Sequence, residues 1–346
     1  MPTSEHVNRL NAARLAWDVL GSSNLLIART DSESAKLISS NIDHRDHEFI
    51  KGTYNMPEGT LGLAETLSKA EAEGAVGAQL DTIEKEWMEK CTLTTFDEAV
   101  EMQNKGNDKG LQAYKERVAH GVSNAEARSI AAEVFGKEGV PSWNWELPRT
   151  KEGYYHFAGG VAPAIKRVKI FAPYSDLLWL ETKEPNLKQA QGFASEIHKD
   201  FPGKWLVYNL SPSFNWSAHG FSGESIRLSR DGVSSTDTPL SFRYAEKDLK
   251  SFVWDLAKSG FVLQLISLAG LHSGAAITYP LSKAFKEDGM LAYVNLIQRK
   301  EKEVGTDVLK HQAWSGAAYV DRMLQTISSG SSGTSAMGGE STEHSF

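Results

Sequence analysis

Ser175-Asp-Leu-Leu-Trp-Leu-Glu-Thr182 and Lys204-Trp-Leu-Val-Tyr-Asn-Leu-Ser211 decide the fold. Each is a short apolar run that stops abruptly in polar groups, the pattern of a strand buried in a parallel sheet. Two further stretches repeat it, Asn24-Leu-Leu-Ile-Ala-Arg-Thr-Asp31 and Phe261-Val-Leu-Gln-Leu-Ile-Ser-Leu268. Helical patterns at residues 187–199 and 245–259 lie between and beside them. Ahead of the first strand, Val7, Leu10, Ala13, Leu15 and Trp17 recur at helical spacing, with Ser4 placed to cap the start and Gly21 the end. Strand and helix in alternation imply βαβ units, hence an α/β fold on a parallel sheet, closed as a barrel or doubly wound.

Residues 60–138 break the alternation. They are rich in Ala, Glu, Lys and Gln, with amphipathic segments at 81–89 and 96–105, and read as a helical insertion. The organisation expected is strand-helix units over residues 1–55, the insertion over 56–145, the remaining units and C-terminal helices over 146–327, and a flexible Ser/Gly-rich tail over 328–346. A polar stretch at 222–238 interrupts the third and fourth strand units.

Across 346 residues, 37 Lys and Arg face 44 Asp and Glu, so no basic excess draws the chain onto nucleic acid or an anionic membrane. The longest apolar run, residues 261–271, is interrupted by Gln264 and Ser267 and falls short of the roughly 18 residues of a membrane span. A small-molecule partner is expected. The single cysteine, Cys91, excludes an intrachain disulfide framework and a multi-thiolate zinc site, and fits a reducing compartment. No Walker A or Gly-x-Gly-x-x-Gly sequence follows any strand, and the serine of Gly270-Leu-His-Ser-Gly274 sits one place late for a nucleophile elbow. Asp43-His-Arg-Asp-His47 lacks a defined ligand spacing and reads as a solvated loop rather than a metal cluster.

In parallel α/β folds ligands collect where strands end. Arg29, Glu181, Asn209, Ser211 and Ser213 supply one cation, one carboxylate and several neutral donors there, a set suited to an anionic substrate. Ser211-Pro-Ser213 either aims two hydroxyls at one carboxylate or forms an ordinary Ser-Pro turn, and spacing leaves both open.

The chain also carries Pro2-Thr-Ser-Glu-His-Val-Asn-Arg-Leu10, Ala28-Arg-Thr-Asp31, Pro148-Arg-Thr-Lys-Glu-Gly-Tyr-Tyr155, Asn209-Leu-Ser-Pro-Ser-Phe-Asn-Trp216, Leu268-Ala-Gly-Leu-His272 and His311-Gln-Ala-Trp-Ser-Gly316. At these residues it resembles the isocitrate lyase family, over nearly its whole length. The resemblance implies a (β/α)8 TIM barrel with a helical insertion, present here only in part. It also implies a homotetramer that uses Mg²⁺ to cleave a tricarboxylate by a retro-aldol reaction. By the same resemblance Arg29 stabilises the developing enediolate, Asn209, Ser211 and Ser213 hold a substrate carboxylate, and Glu181, Ser267 and Leu268 complete the substrate site. The family's Lys-Lys-Cys-Gly-His loop, with the catalytic cysteine, and its metal-binding carboxylates are absent from these residues. They are expected in an N-terminal portion, so this chain alone is expected to be inactive, and Cys91, in the insertion, does not replace the missing thiol. A part-barrel with two open edges is expected to aggregate or to need a partner.

Isocitrate lyases read Gln-Phe-Ile-Thr-Leu-Ala-Gly where this chain reads Gln264-Leu-Ile-Ser-Leu-Ala-Gly270. Leu265 and Ser267 are both smaller, which makes room for a methyl group and points to 2-methylisocitrate, cleaved to pyruvate and succinate in the methylcitrate cycle of propionate catabolism. The alternatives are isocitrate, giving glyoxylate in the glyoxylate cycle, and a non-catalytic truncated subunit or dicarboxylate-binding pseudoenzyme. The substrate implies the mitochondrial matrix, with glyoxysome, peroxisome or cytoplasm as alternatives. Residues 221–244 are extra relative to the family and read as translated intron rather than a surface loop.

Overall fold

Four apolar runs too short for helices and rich in branched and aromatic side chains pair into one sheet, as their pattern requires. A computed structural model describes residues 1–214, 216 and 246–330; the expectations for residues 221–244 and for the tail past residue 330 lie outside the described residues. In chain order the described strands are β1 (Ile27–Thr30), β2 (Leu37–Ile38), β3 (Ile50–Tyr54), β4 (Thr92–Thr95), β5 (Trp143–Asn144), β6 (Tyr155–Phe157), β7 (Leu177–Leu180), β8 (Trp205–Asn209) and β9 (Phe261–Leu265). The apolar runs become β1, β7, β8 and β9, adjacent in that order and all parallel.

The helices are α1 (Thr3–Leu20), then α2 (Leu63–Ala72), α3 (Ala78–Glu89), α4 (Phe96–Gln103), α5 (Asp108–Val118) and α6 (Asn124–Phe135), then α7 (Val161–Phe171), α8 (Leu187–Asp200) and α9 (Glu246–Lys258). Period-2 alternation sends Ala28, Leu178, Leu180, Leu206 and Tyr208 to one face of the parallel sheet, where with Phe261 they meet Leu10 of α1, Val168 and Phe171 of α7, Phe193 and Ile197 of α8 and Phe252 and Leu256 of α9. Burying each of these large side chains contributes about 1.5–3 kcal/mol, which makes this cluster the anchor of the sheet. Alternation leaves the opposite face to Arg29, Trp179, Val207 and Asn209.

The start of α1 departs from the spacing-based expectation. Its N-cap is Pro2 and not Ser4. The first amides are capped from a distant segment: Thr3 N and Oγ1 donate to Asp46 at 2.7 and 2.6 Å, and Ser4 N to Asp43 at 2.7 Å. Residues 43–47 are therefore no solvated loop, since Asp43 and Asp46 are buried as acceptors for a helix N-terminus. Gly21 ends α1 as the spacing predicts, at φ 62° with its N–H on Asp18 O.

A second, antiparallel sheet, in the order β2-β6-β3-β4 with β5 on β3, accompanies the helices of residues 60–138. Sequence alone misses it because β4, Thr92-Leu-Thr-Thr95, is short and polar and acquires its conformation by pairing with β3. Thr95 at once turns the chain into α4 through a reciprocal capping box with Glu98. Trp143 packs with Phe96, Val100 and Tyr114 in this unit's own core, its indole N–H donating to Thr94 O at 2.9 Å.

Residues up to Ser267 form one compact unit and those from Leu268 another. The described part of the second is helical: α10 (Ala269–Asp288), α11 (Met290–Tyr293), a π-helical turn (Val294–Gln298), α12 (Arg299–Val304), α13 (His311–Trp314) and α14 (Ala317–Ile327). Leu271, Ile277 and Tyr279 of α10 and Tyr319, Met323 and Ile327 of α14 are exposed. No described helix is long and apolar enough to cross a membrane.

Candidate active site

The parallel strands have chemically different ends. At the N-terminal end Asp176 accepts from Leu26 N at 2.7 Å and from Arg14, and Lys204 donates to the carbonyls of Ala172 and Ser175. Burial lowers the Lys204 ammonium; burial would raise the Asp176 carboxyl, but the Leu26 amide and Arg14 outweigh it and hold it low. Arg14, Asp176 and Lys204 there tie segments of the chain together.

At the C-terminal end β1 and β7 finish level, because Arg29 is the register partner of Trp179 and Glu181 N continues the ladder onto Thr30 O at 2.9 Å. Glu181 falls two residues after Trp179, on the same face. Arg29 Nε donates to Glu181 Oε2 at 3.1 Å, Nη2 lies 3.8 Å from Asp31, and the guanidinium carbon sits 5.1 Å from the centre of the Trp179 ring. The Arg29 side chain is 46% exposed, so this is a cation that solvent and a solute can reach, fixed along one edge by a carboxylate.

Asn209 closes β8 and is buried. Its Oδ1 accepts from Thr182 N at 3.2 Å, Thr182 Oγ1 at 3.3 Å and Trp179 Nε1 at 3.3 Å, and its Nδ2 donates to Thr182 O at 3.3 Å. Beyond it, the hydroxyls of Ser211 and Ser213 are 2.7 Å apart and bonded to each other, and Ser213 N donates to Ser211 Oγ at 3.3 Å, which makes a local serine turn open to solvent. Leu265 ends β9 opposite Asn209 and accepts from Leu210 N at 2.6 Å; Ser267 follows and is exposed. Leu268 opens the second unit as the N-cap of α10, at φ 61°. Arg29, Glu181 and Asn209 are thus linked in one network, whereas Ser211 and Ser213 bond chiefly to each other.

Two members of that network were missed in the sequence: Trp179, which joins Arg29 to Asn209, and Thr182, which bonds both the oxygen and the nitrogen of the Asn209 amide. The signal for Trp179 was its spacing, two residues before Glu181 on an alternating strand.

The carboxylates at this end do not fit a Mg²⁺ site by themselves. Glu181 and Asp31 both face Arg29, and among the described residues no group of three His, Cys, Asp or Glu side chains is placed to hold a metal. An ion there would need further oxygen ligands.

A model of the isocitrate lyase family matches residues 1–229 and 239–346. The unmatched residues fall inside the stretch 221–244 that reads as extra. A mitochondrial 2-methylisocitrate lyase from Hypocrea atroviridis is 50% identical over 351 residues, covering 100% of this chain and 58% of that protein. A mitochondrial 2-methylisocitrate lyase from Saccharomyces cerevisiae is 44% identical, covering 100% of this chain and 57% of its own length. An isocitrate lyase from Oryza sativa subsp. japonica is 41% identical, covering 99% of this chain and 57% of its own length. The chain therefore spans somewhat over half the length of the curated relatives it matches.

Proposed function

The chain belongs to the isocitrate lyase family, and from that premise we propose that it serves the retro-aldol cleavage of 2-methylisocitrate to pyruvate and succinate. The observation that carries this reading is the Arg29 guanidinium, accessible at a strand end and oriented by Glu181. In the cleavage the substrate hydroxyl loses its proton as its carbon becomes the carbonyl of pyruvate. The carbon–carbon bond breaks, and its electron pair passes into the adjoining carboxylate of the nascent succinate as an enediolate, which a proton then quenches. Negative charge grows on carboxylate oxygens, and a preorganised guanidinium is a strong stabiliser of such charge; removing one donor of this kind typically costs about 10²–10³ in kcat. Asn209 shapes the same rim, and the serine turn at 211–213 offers hydroxyls to a second carboxylate once its internal bond is exchanged.

Leu265 and Ser267 are the proposed specificity pair. Room for one extra carbon in an apolar pocket discriminates by about 1–3 kcal/mol, so some isocitrate cleavage is expected as well; the resemblance to the rice isocitrate lyase favours that second reading. The four parallel strands with helices on one face are proposed to be part of a (β/α)8 barrel and the acting form to be a homotetramer; the mitochondrion is proposed as its compartment, the word that the names of two relatives carry. Mg²⁺ is proposed as the cofactor, with its ligands and the catalytic thiol loop outside the strand-end set described above. The test is a lyase assay on both substrates in a complete enzyme carrying Leu265→Phe and Ser267→Thr. A shift of roughly tenfold or more toward isocitrate is expected; an unchanged preference overturns the reading.

A further inference from the structure

We propose that Trp179 is a positioning residue that fixes the Arg29 guanidinium and the Asn209 amide in a single arrangement; the inference rests on the lyase reading above. Arg29 and Trp179 are register partners on adjacent parallel strands, so their side chains leave the same face side by side. The guanidinium carbon lies 5.1 Å from the ring centre, within cation–π range, while Glu181 takes the Nε–H at 3.1 Å. The guanidinium is thereby set over the indole ring and held along one edge by a carboxylate. At its other end the same indole donates Nε1–H to Asn209 Oδ1 at 3.3 Å, and Thr182 holds that amide through its backbone and hydroxyl.

An indole combines a broad π-face with an N–H donor on one rigid plane. Phenylalanine would keep the face and lose the donor, and leucine would lose both. A long side chain as exposed as Arg29 samples many rotamers unless its face is occupied, and an enediolate stabiliser has to be in place before charge develops. The role of Trp179 is exerted through the two groups it contacts, Arg29 and Asn209.

The experiment is a kinetic cycle in the complete lyase with Trp179→Leu, Trp179→Phe and Arg29→Lys, each checked for folding by circular dichroism. Trp179→Leu is expected to lower kcat by roughly tenfold with a smaller change in KM, and Trp179→Phe to recover part of that loss. In the Arg29→Lys background Trp179→Leu should cost much less than in the wild type, because the group it positions is gone. Equal factors in both backgrounds, or a loss confined to KM, would overturn the proposal. The Nε–H resonance of Arg29, observed with ¹⁵N-labelled arginine, reads the positioning without activity: a ring-shifted, sharp signal is expected, reverting in Trp179→Leu. An Arg29 signal indifferent to Trp179 refutes the proposal, whereas a wild type without lyase activity but with a Trp179-dependent signal refutes only the lyase reading.

Discussion

Replacing Asp46 by alanine should be among the most damaging single changes outside the apolar core. Its side chain is fully buried and accepts from Thr3 N at 2.7 Å, Thr3 Oγ1 at 2.6 Å and Arg167 Nη1 at 2.7 Å, Arg167 being itself only 11% exposed. Truncation strands two donors and one cation away from bulk water. Removing one partner of a buried ion pair costs about 3–5 kcal/mol, and the lost cap of α1, about 1 kcal/mol on its own, is contained in that range. The control is Glu5→Ala, which breaks the Arg9 pair whose side chains are 63% and 46% exposed and should cost under about 0.5 kcal/mol. Urea unfolding followed by far-UV circular dichroism measures both. A cycle with Arg167→Met isolates the pair, and the double variant should be at least about 1 kcal/mol less destabilised than the sum of the singles. An Asp46→Ala variant within about 1 kcal/mol of the parent, or an additive cycle, would show that solvent reaches this site and that the capping argument is wrong.

The neighbouring Asp43 links stability to pH. Burial opposes its ionisation, but hydrogen bonds from Arg45, the Arg45 charge and the Ser4 amide hold its folded pKa at about 2, below the ordinary value. Its contribution is fully present above the unfolded value near 4 and is lost as pH falls toward 2, so Asp43→Asn should flatten that part of an acid-unfolding profile; an unchanged profile would contradict the assignment. Gly159→Ala should disturb the loop after Arg29, because a Cβ there would lie 2.3 Å from Ala35 O and 2.9 Å from Ser32 O, both rigid backbone. A loss of about 1–3 kcal/mol in the same unfolding assay is expected, and a neutral substitution would contradict the packing. Among the described residues β1 pairs only with β7 and β9 only with β8, leaving two open strand edges. The isolated chain should therefore self-associate in sedimentation velocity, and a soluble monomer unfolding in one cooperative step would sink that expectation. Calorimetric titration of Mg²⁺ into the isolated chain should show no micromolar site, and one would mean that the rim carboxylates are more available than their bonds to Arg29 suggest.

The amino-acid sequence by itself determined the parallel strands, the helices between them and the polar character of the strand ends, because short apolar runs ending in polar groups mark buried parallel strands and helical spacing of apolar residues marks the helices that cover them. It also carried the family, through motifs such as Asn209-Leu-Ser-Pro-Ser-Phe-Asn-Trp216. What only the tertiary structure decided were relations across long separations in the chain. Asp43 and Asp46 look like loop carboxylates until α1 is docked on them, 39 and 43 residues away from the amides they cap. β4 is a polar tetrapeptide until β3 supplies its hydrogen bonds. Trp179 reads as one more apolar residue of a buried strand until register places it beside Arg29, 150 positions earlier by number, and aims its N–H at Asn209. Strand pattern and capping are local properties of a chain, whereas register and desolvation arise only when distant segments meet, and the chemistry of this site depends on the second kind.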